Sequence, residues 1–216
     1  HLSYLLDAGI ARELKLASHG LRWARTDLKT VALAPAGDHL VLDGGKLESG
    51  TLSESDGAAL AVYHAQMLRF ARVLAKQHNR QPPRLGGGGR SDFMGAAKLG
   101  LDIRLLGRDS MREFLRIAGI NIYDVLEEKF DSPLLKGALA LDAVLGANLG
   151  PRSNNSILAL LHRLSGQSNG NDGMSLPEGG MGAISEAMAA AARAAGATIR
   201  TGSPVARIKL KGDAVS

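Results

Sequence analysis

Cysteine is absent from this chain of 216 residues, which removes disulfides, thiolate metal sites and cysteine nucleophiles at once. The absence fits a reducing compartment. Aromatic residues are scarce, at 4% with a single tryptophan. A nucleic-acid module that stacks bases needs aromatics interleaved with basic clusters. Lys and Arg outnumber Asp and Glu by 26 to 21, giving +5, but the basic residues are scattered and form no run. No nucleic-acid partner is expected. No segment reaches the roughly 18 uninterrupted apolar residues of a membrane span. The best candidate, Leu134 to Leu149, is broken by Lys136 and Asp142 and reads as a buried or amphipathic helix. The opening His1-Leu2-Ser3-Tyr4-Leu5-Leu6 lacks a basic flank and an initiator Met, so no signal peptide is expected and a cytoplasmic location is.

What the chain does have is a folded composition. Hydrophobic residues make up 45% and charged residues 22%, enough core for one large domain or two small ones. His1–Leu16 reads as helix, and Thr30–Leu33 and His39–Leu42 as strands of a hairpin turned by Pro35-Ala36-Gly37-Asp38. Ser53-Glu54-Ser55-Asp56 is an N-cap cluster that launches a helix to about His78, with Tyr63, Met67, Phe70 and Leu74 as its buried stripe. Pro82-Pro83 stops that helix, and Gly86–Gly89 reads as a loop. From Ser91 to Gly166 the pattern is a run of helices, the first with a Met94, Ala97, Leu101, Leu105 stripe. Asp109 is the expected cap of Met111–Ala118, Asp131-Ser132-Pro133 starts another helix, and Asn155-Ser156 a third. Strands are expected at Ala197–Thr201 and Pro204–Leu210. Helices beside a sheet, without strict βαβ alternation, give an α+β class: a helical layer on a mixed or antiparallel sheet, with no complete Rossmann domain. The chain opens inside one expected element and ends inside an expected hairpin, so it reads as an internal piece of a longer protein.

Chemistry-bearing residues are sparse. The histidines His1, His19, His39, His64, His78 and His162 show no ligand spacing, and no metal site is expected. Asp102, Glu127, Glu128 and Asp142 are not paired as acid and base, and no Gly-x-Ser-x-Gly elbow occurs. No catalytic side chain is assigned. The richest stretch is Pro177-Glu178-Gly179-Gly180-Met181-Gly182, which leads into an Ala-rich helix. Gly180 to Ser185 imitates a dinucleotide fingerprint, but Pro177 sits where the feeding strand should end and the ribose-binding acid is missing from its place. Such a turn either brings backbone amides and a helix N-terminus close to a flat ligand, or is only a tight loop-to-helix joint.

These residues also carry a resemblance. Leu176 to Ile184, then Glu186-Ala187 through Thr201, then Val205-Ala206-Arg207-Ile208, resemble the central signature of phytoene-dehydrogenase-like FAD oxidoreductases. His19-Gly20-Leu21-Arg22-Trp23 and Leu145-Gly146 with Pro151 are similar to its bacterial branch. The resemblance implies that residues 1–210 form a substrate-binding domain with a helical subregion at about 91–166. Residues 197–216 would return toward an FAD-binding domain. It implies FAD as cofactor, with Gly179, Gly180, Met181 and Val205 as its contacts here, and a lipophilic small-molecule substrate in a channel lined by Ser91–Leu106 and Leu134–Leu164. The implied reaction is hydride transfer to flavin, with the 216 residues alone inactive and prone to form a homodimer. A non-catalytic helical module that binds a ligand or protein is the alternative, and peripheral membrane contact through a basic face a third reading.

Overall fold

The computed structural model describes residues 2–78, 80, 82, 84, 89–168, 173–211 and 214–215. In chain order these are α1 (Ala8–Glu13), β1 (Trp23–Arg25), β2 (Thr30–Ala32), β3 (Leu40–Asp43), β4 (Lys46–Ser49), α2 (Glu54–His78), α3 (Arg90–Arg104), α4 (Arg108–Ile117), α5 (Ile122–Glu127), α6 (Pro133–Val144), α7 (Ser156–Ser168), β5 (Leu176–Pro177), α8 (Met181–Ala194), β6 (Leu210–Lys211) and β7 (Ala214–Val215). The class is α+β. Among the described residues the three small sheets are all antiparallel: β2-β3-β4, β1-β5 and β6-β7.

The main core lies where α2 packs along α7, with α4, α5 and α6 around the pair and β3 laid across them. β3 alternates as a half-buried strand should, with Leu40 and Leu42 inward. On α2 the expected stripe is inward: Tyr63, Met67 and Phe70 are buried and Leu74 is packed against the cluster. The helix starts where the cap cluster places it, with Ser53 Oγ accepting the Asp56 amide at 3.1 Å. Ser132 likewise caps α6, with Pro133 in its first turn.

Two buried side chains join helix starts together. Asp56 Oδ1 and Oδ2 accept the amides of Asp131 and Ser132, each at 2.9 Å, which ties α2 to the start of α6. Ser156 Oγ accepts the Ile122 amide at 2.9 Å and donates to the Pro151 carbonyl at 3.2 Å, which ties α7 to α5. Ser156→Ala should leave that buried amide unpaired and cost about 2 kcal/mol. Urea unfolding checks this, and a cost below about 0.5 kcal/mol would mean that the tie is not needed.

A second, smaller core holds Leu16, Leu21, Ile184, Ala187 and Ala191, so α8 packs on the early part of the chain. The same joint is stitched by β1-β5 and by mutual backbone bonds between Ser3 and Ser175 at 2.7 and 2.9 Å.

Several expectations are corrected. The helix expected over 1–16 reduces to α1, because residues before Asp7 are drawn into the bridge with Ser175, and Asp7 itself caps Gly9 and Ile10. His1 lies outside the described residues. On α3 the expected Met94, Ala97, Leu101, Leu105 stripe faces outward, with Leu105 69% exposed, while Leu99, Ile103 and the following Leu106 meet the core. Gly107, at φ +86, occupies the cap position of α4 in place of Asp109, which sits in its first turn. The strands expected at 197–201 and 204–210 are absent except for the hairpin β6-β7: residues 197–209 find no neighbouring strand among the described residues. Of the loop expected at Gly86–Gly89, only Gly89 is described. It precedes α3, and Asp92 accepts its amide.

Candidate functional site

Two hollows meet on either side of one layer of side chains. The first lies against the start of α8, which follows the glycine turn after β5. Pro177 ends β5, the Glu178 amide donates to Arg22, and the Gly180 amide closes a turn onto the Pro177 carbonyl at 3.0 Å. Gly179 and Gly180 lie at φ +79 and +78, where an L side chain is strained, so the chain can take this corner because both are glycine. α8 begins at once and has no side-chain cap, which leaves its positive end and the amides of Met181 and Gly182 open toward solvent. Met181 is exposed at the rim of a cleft of about 440 Å³, with Leu2, Leu5, Leu6 and Ile184 as apolar wall and Tyr4 and Arg163 as its far side. Of the four expected cofactor contacts, Met181 lines the cleft, whereas the adjoining Gly179 and Gly180 are not part of its lining. Val205 is 79% exposed on the irregular 197–209 segment and lines neither hollow.

The second hollow is a chamber of about 90 Å³ enclosed by α2, α6, α7 and β3. Leu42, Met67, Leu139 and Leu160 make its apolar lining, and the exposed Asp27, Gly44 and Gln167 stand at its mouth. Polar groups converge inside. Tyr63 is 4% exposed, its ring set edge-on to Phe130 at 5.4 Å, and its hydroxyl finds no hydrogen-bond partner among the described residues. Asp142 faces it from α6, Tyr4 Oη lies 3.5 Å from Asp142 Oδ1, and the Arg163 guanidinium is 4.9 Å from the Tyr4 ring centre. His64 completes the wall against the Gly44-Gly45 turn, where a Cβ on Gly45 would stand 2.5 Å from the imidazole.

Burial governs the electrostatics here. It raises the Asp142 carboxyl above the usual range, against the pull of Arg163. It lowers the His64 imidazole. It pushes the Tyr4 hydroxyl up to about 12, helped by Asp142, and raises Tyr63 for the same two reasons. Tyr4, Tyr63, His64 and Asp142 are all shifted toward their neutral forms, so these four groups favour hydrogen bonds over ion pairs.

Tyr4 and Arg163 line both hollows and form the layer between them. The other carboxylates noted in the sequence are spent on ion pairs: Asp102 with Lys76 at 2.6 Å, Glu127 with Lys136 at 2.8 Å, Glu128 with Arg116 at 2.7 Å. His162 is exposed on α7, and His39 accepts the Ala34 amide inside the β2-β3 turn. The helix expected to line a channel at Ser91–Leu106 touches neither hollow, whereas α6 and α7 do. The chamber residues carry one signal that reading the sequence could have used. Asp142 breaks an apolar run, and a charge in such a run needs a buried partner or a cavity. Among the described residues no group of three His, Asp or Glu could hold a metal, and no helix is long and apolar enough to cross a membrane.

Comparison with known proteins gives a consistent direction. The family model described as flavin containing amine oxidoreductase matches residues 25–216. The Mus musculus protein named pyridine nucleotide-disulfide oxidoreductase domain-containing protein 2 is 37% identical over 111 residues, 51% of this chain and 19% of that protein. Its Rattus norvegicus counterpart is 38% identical over the same extent. The matched part thus spans about a fifth of the length of these curated relatives. No solved structure matches the chain.

Proposed function

The chain belongs to the flavin-containing amine oxidoreductase family, and from that premise we propose that it is part of an FAD-dependent oxidoreductase of the phytoene-dehydrogenase-like branch. The family match across residues 25–216 supports a flavin-containing oxidoreductase, and the resemblance carried by residues 176–208 is what favours this branch. In this proposal residues 1–210 are the substrate-binding domain, with a helical subregion at about 91–166, and residues 197–216 lead toward the FAD-binding domain. The substrate is a lipophilic small molecule, and turnover belongs to the complete protein.

The residues at the glycine turn fit a flavin. Gly179 and Gly180 present backbone without side chains, the uncapped start of α8 favours a partial negative charge, and Met181 with its leucine neighbours offers an apolar face. Gly179, Gly180 and Met181 are the groups that would hold it here, and Val205, on the irregular 197–209 segment, is the fourth proposed contact. Bound FAD supplies the hydride acceptor, and this chain supplies orientation and a dry wall. The exposed Phe93, Met94, Leu101 and Leu105 of α3 support contact with a second copy or a membrane surface. A cytoplasmic location, peripheral to that surface, and no nucleic-acid partner complete the proposal.

The complete protein, purified without added cofactor, should show the two-banded visible spectrum of bound flavin or acquire it on titration with FAD. A colourless protein that rejects added FAD sinks the redox reading and leaves a binding module.

A further inference from the structure

We propose that α3 docks on the surface of an anionic lipid bilayer, lying in the interface with its outward apolar strip among the acyl chains. Of the two contacts open to this face, a membrane and a second copy, the chemistry of the helix selects the membrane. The inference rests on that peripheral reading and needs no flavin.

The first observation is how little of α3 the protein covers. The helix has 15 residues and none of them is buried. It packs against α2 and α4, and only its Leu99 and Ile103 meet the main core, from the rim. A helix of this length draws most of its stability from burying an apolar face, yet here the larger apolar face points away from the protein. Phe93, Met94, Leu101 and Leu105 are each more than half exposed, and with Ala97 they recur at helical spacing as one strip. A continuous apolar strip of this kind marks a contact surface. It lines neither the cleft nor the chamber, so it is separate from the groups proposed to hold flavin.

The second observation is the charge that accompanies the strip. Arg90, Lys98 and Arg104 lie in or beside the same sector of the helix, are exposed, and enter no ion pair among the described residues. The two acids of α3 are turned elsewhere. Asp92 accepts the amides of Arg84 and Gly89 at 3.0 and 2.9 Å, and Asp102 pairs with Lys76 at 2.6 Å. The outward face therefore carries apolar groups and three cations with no acid to answer them. An acidic bilayer surface matches both: the ring and alkyl groups enter the hydrocarbon, while Lys and Arg extend toward lipid phosphates. A zwitterionic surface would satisfy the strip alone. A second copy on a two-fold axis would set these cations against a face bearing the same three.

The test is flotation of the complete protein with phosphatidylcholine vesicles, alone or mixed with phosphatidylglycerol. Binding to the mixed vesicles should be at least about tenfold stronger, and high salt should weaken it. Lys98→Gln combined with Arg104→Gln should lower that binding about tenfold or more, and so should Phe93→Ser combined with Leu101→Ser. Leu33→Ser, at a similarly exposed leucine just after β2, should change nothing. All five positions are exposed, and an unchanged urea midpoint checks that each variant is folded. Equal binding to both kinds of vesicle, or α3 variants that float like the parent, would overturn the inference. A lipid-free dimer that the Phe93 and Leu101 substitutions dissociate would overturn it too, and would give the strip to a second copy. FAD loading is read by absorbance on the same samples, so failure of the flavin reading and failure of this one are separately visible.

Discussion

Phe70→Ala should destabilise the protein by about 4 kcal/mol, the largest single-residue effect expected here. Phe70 is fully buried midway along α2 and meets Phe114 of α4 edge-on, with ring centres 5.4 Å apart. Met67, Ile117 and Leu161 are equally inaccessible parts of the same cluster, so the walls are already close-packed and cannot collapse into the space a ring leaves. The loss adds the transfer energy of the ring, the cavity term and the edge-to-face contact. A domain of this kind carries about 5–15 kcal/mol of total stability, so the variant should unfold at much lower urea concentration. Phe70→Leu refills most of the volume and should recover more than half of the loss. An alanine variant that loses less than about 1 kcal/mol would mean that the α2–α4 contact is not part of the core.

Asp56→Ala is the second large effect, at about 3 kcal/mol. Its carboxylate, 2% exposed, takes two backbone amides at the start of α6, and removing it leaves both without an acceptor. It also removes a negative charge from the first turn of α2, where the helix dipole favours one. Asp56→Asn keeps one acceptor oxygen but turns an NH2 toward the second amide, so about half of the loss should remain. Urea unfolding of the pair of variants separates the two contributions. If alanine and asparagine proved equally costly, charge would outweigh the count of hydrogen bonds. If neither changed the midpoint, the clamp would be redundant.

Neither residue's role was hidden to the same degree. Phe70 lies on a 4-3-4 stripe that periodicity reads directly, and the stripe is buried as expected. Asp56 was legible only as a member of a cap cluster, because its partners stand about 75 residues away and nothing local announces them. The same limit explains β1-β5 and the isolated Ser3–Ser175 bridge, which join segments more than 150 residues apart through very short pairings. On α3 the sequence offers two helical stripes: Met94, Ala97, Leu101, Leu105 and Leu99, Ile103, Leu106. Periodicity cannot choose between them; the packing of neighbouring helices selects the second. At the candidate site, the Gly179-Gly180 turn was readable because positive φ is a local demand. The chamber was not, since Tyr63, Asp142, Tyr4 and Arg163 come from four segments and only Asp142, a charge in an apolar run, stands out alone. The two-residue Gly44-Gly45 hairpin before Lys46 was a readable turn signal, and it positions the wall at His64.

The unequal cores have a consequence for how the molecule breathes. The minor cluster relies on two leucines, one isoleucine and two alanines, so it defines a weaker cooperative unit made of the early chain, β5 and α8. That unit is expected to open at lower cost than the α2–α7 core. Tyr4 belongs to the early chain but is held by Asp142 and Arg163 of α6 and α7, so the partition between the cleft and the chamber links the two units. A molecule seated against Tyr4 in either hollow holds the weaker unit closed, and this gives the two compartments a common energetic link without any rigid-body movement.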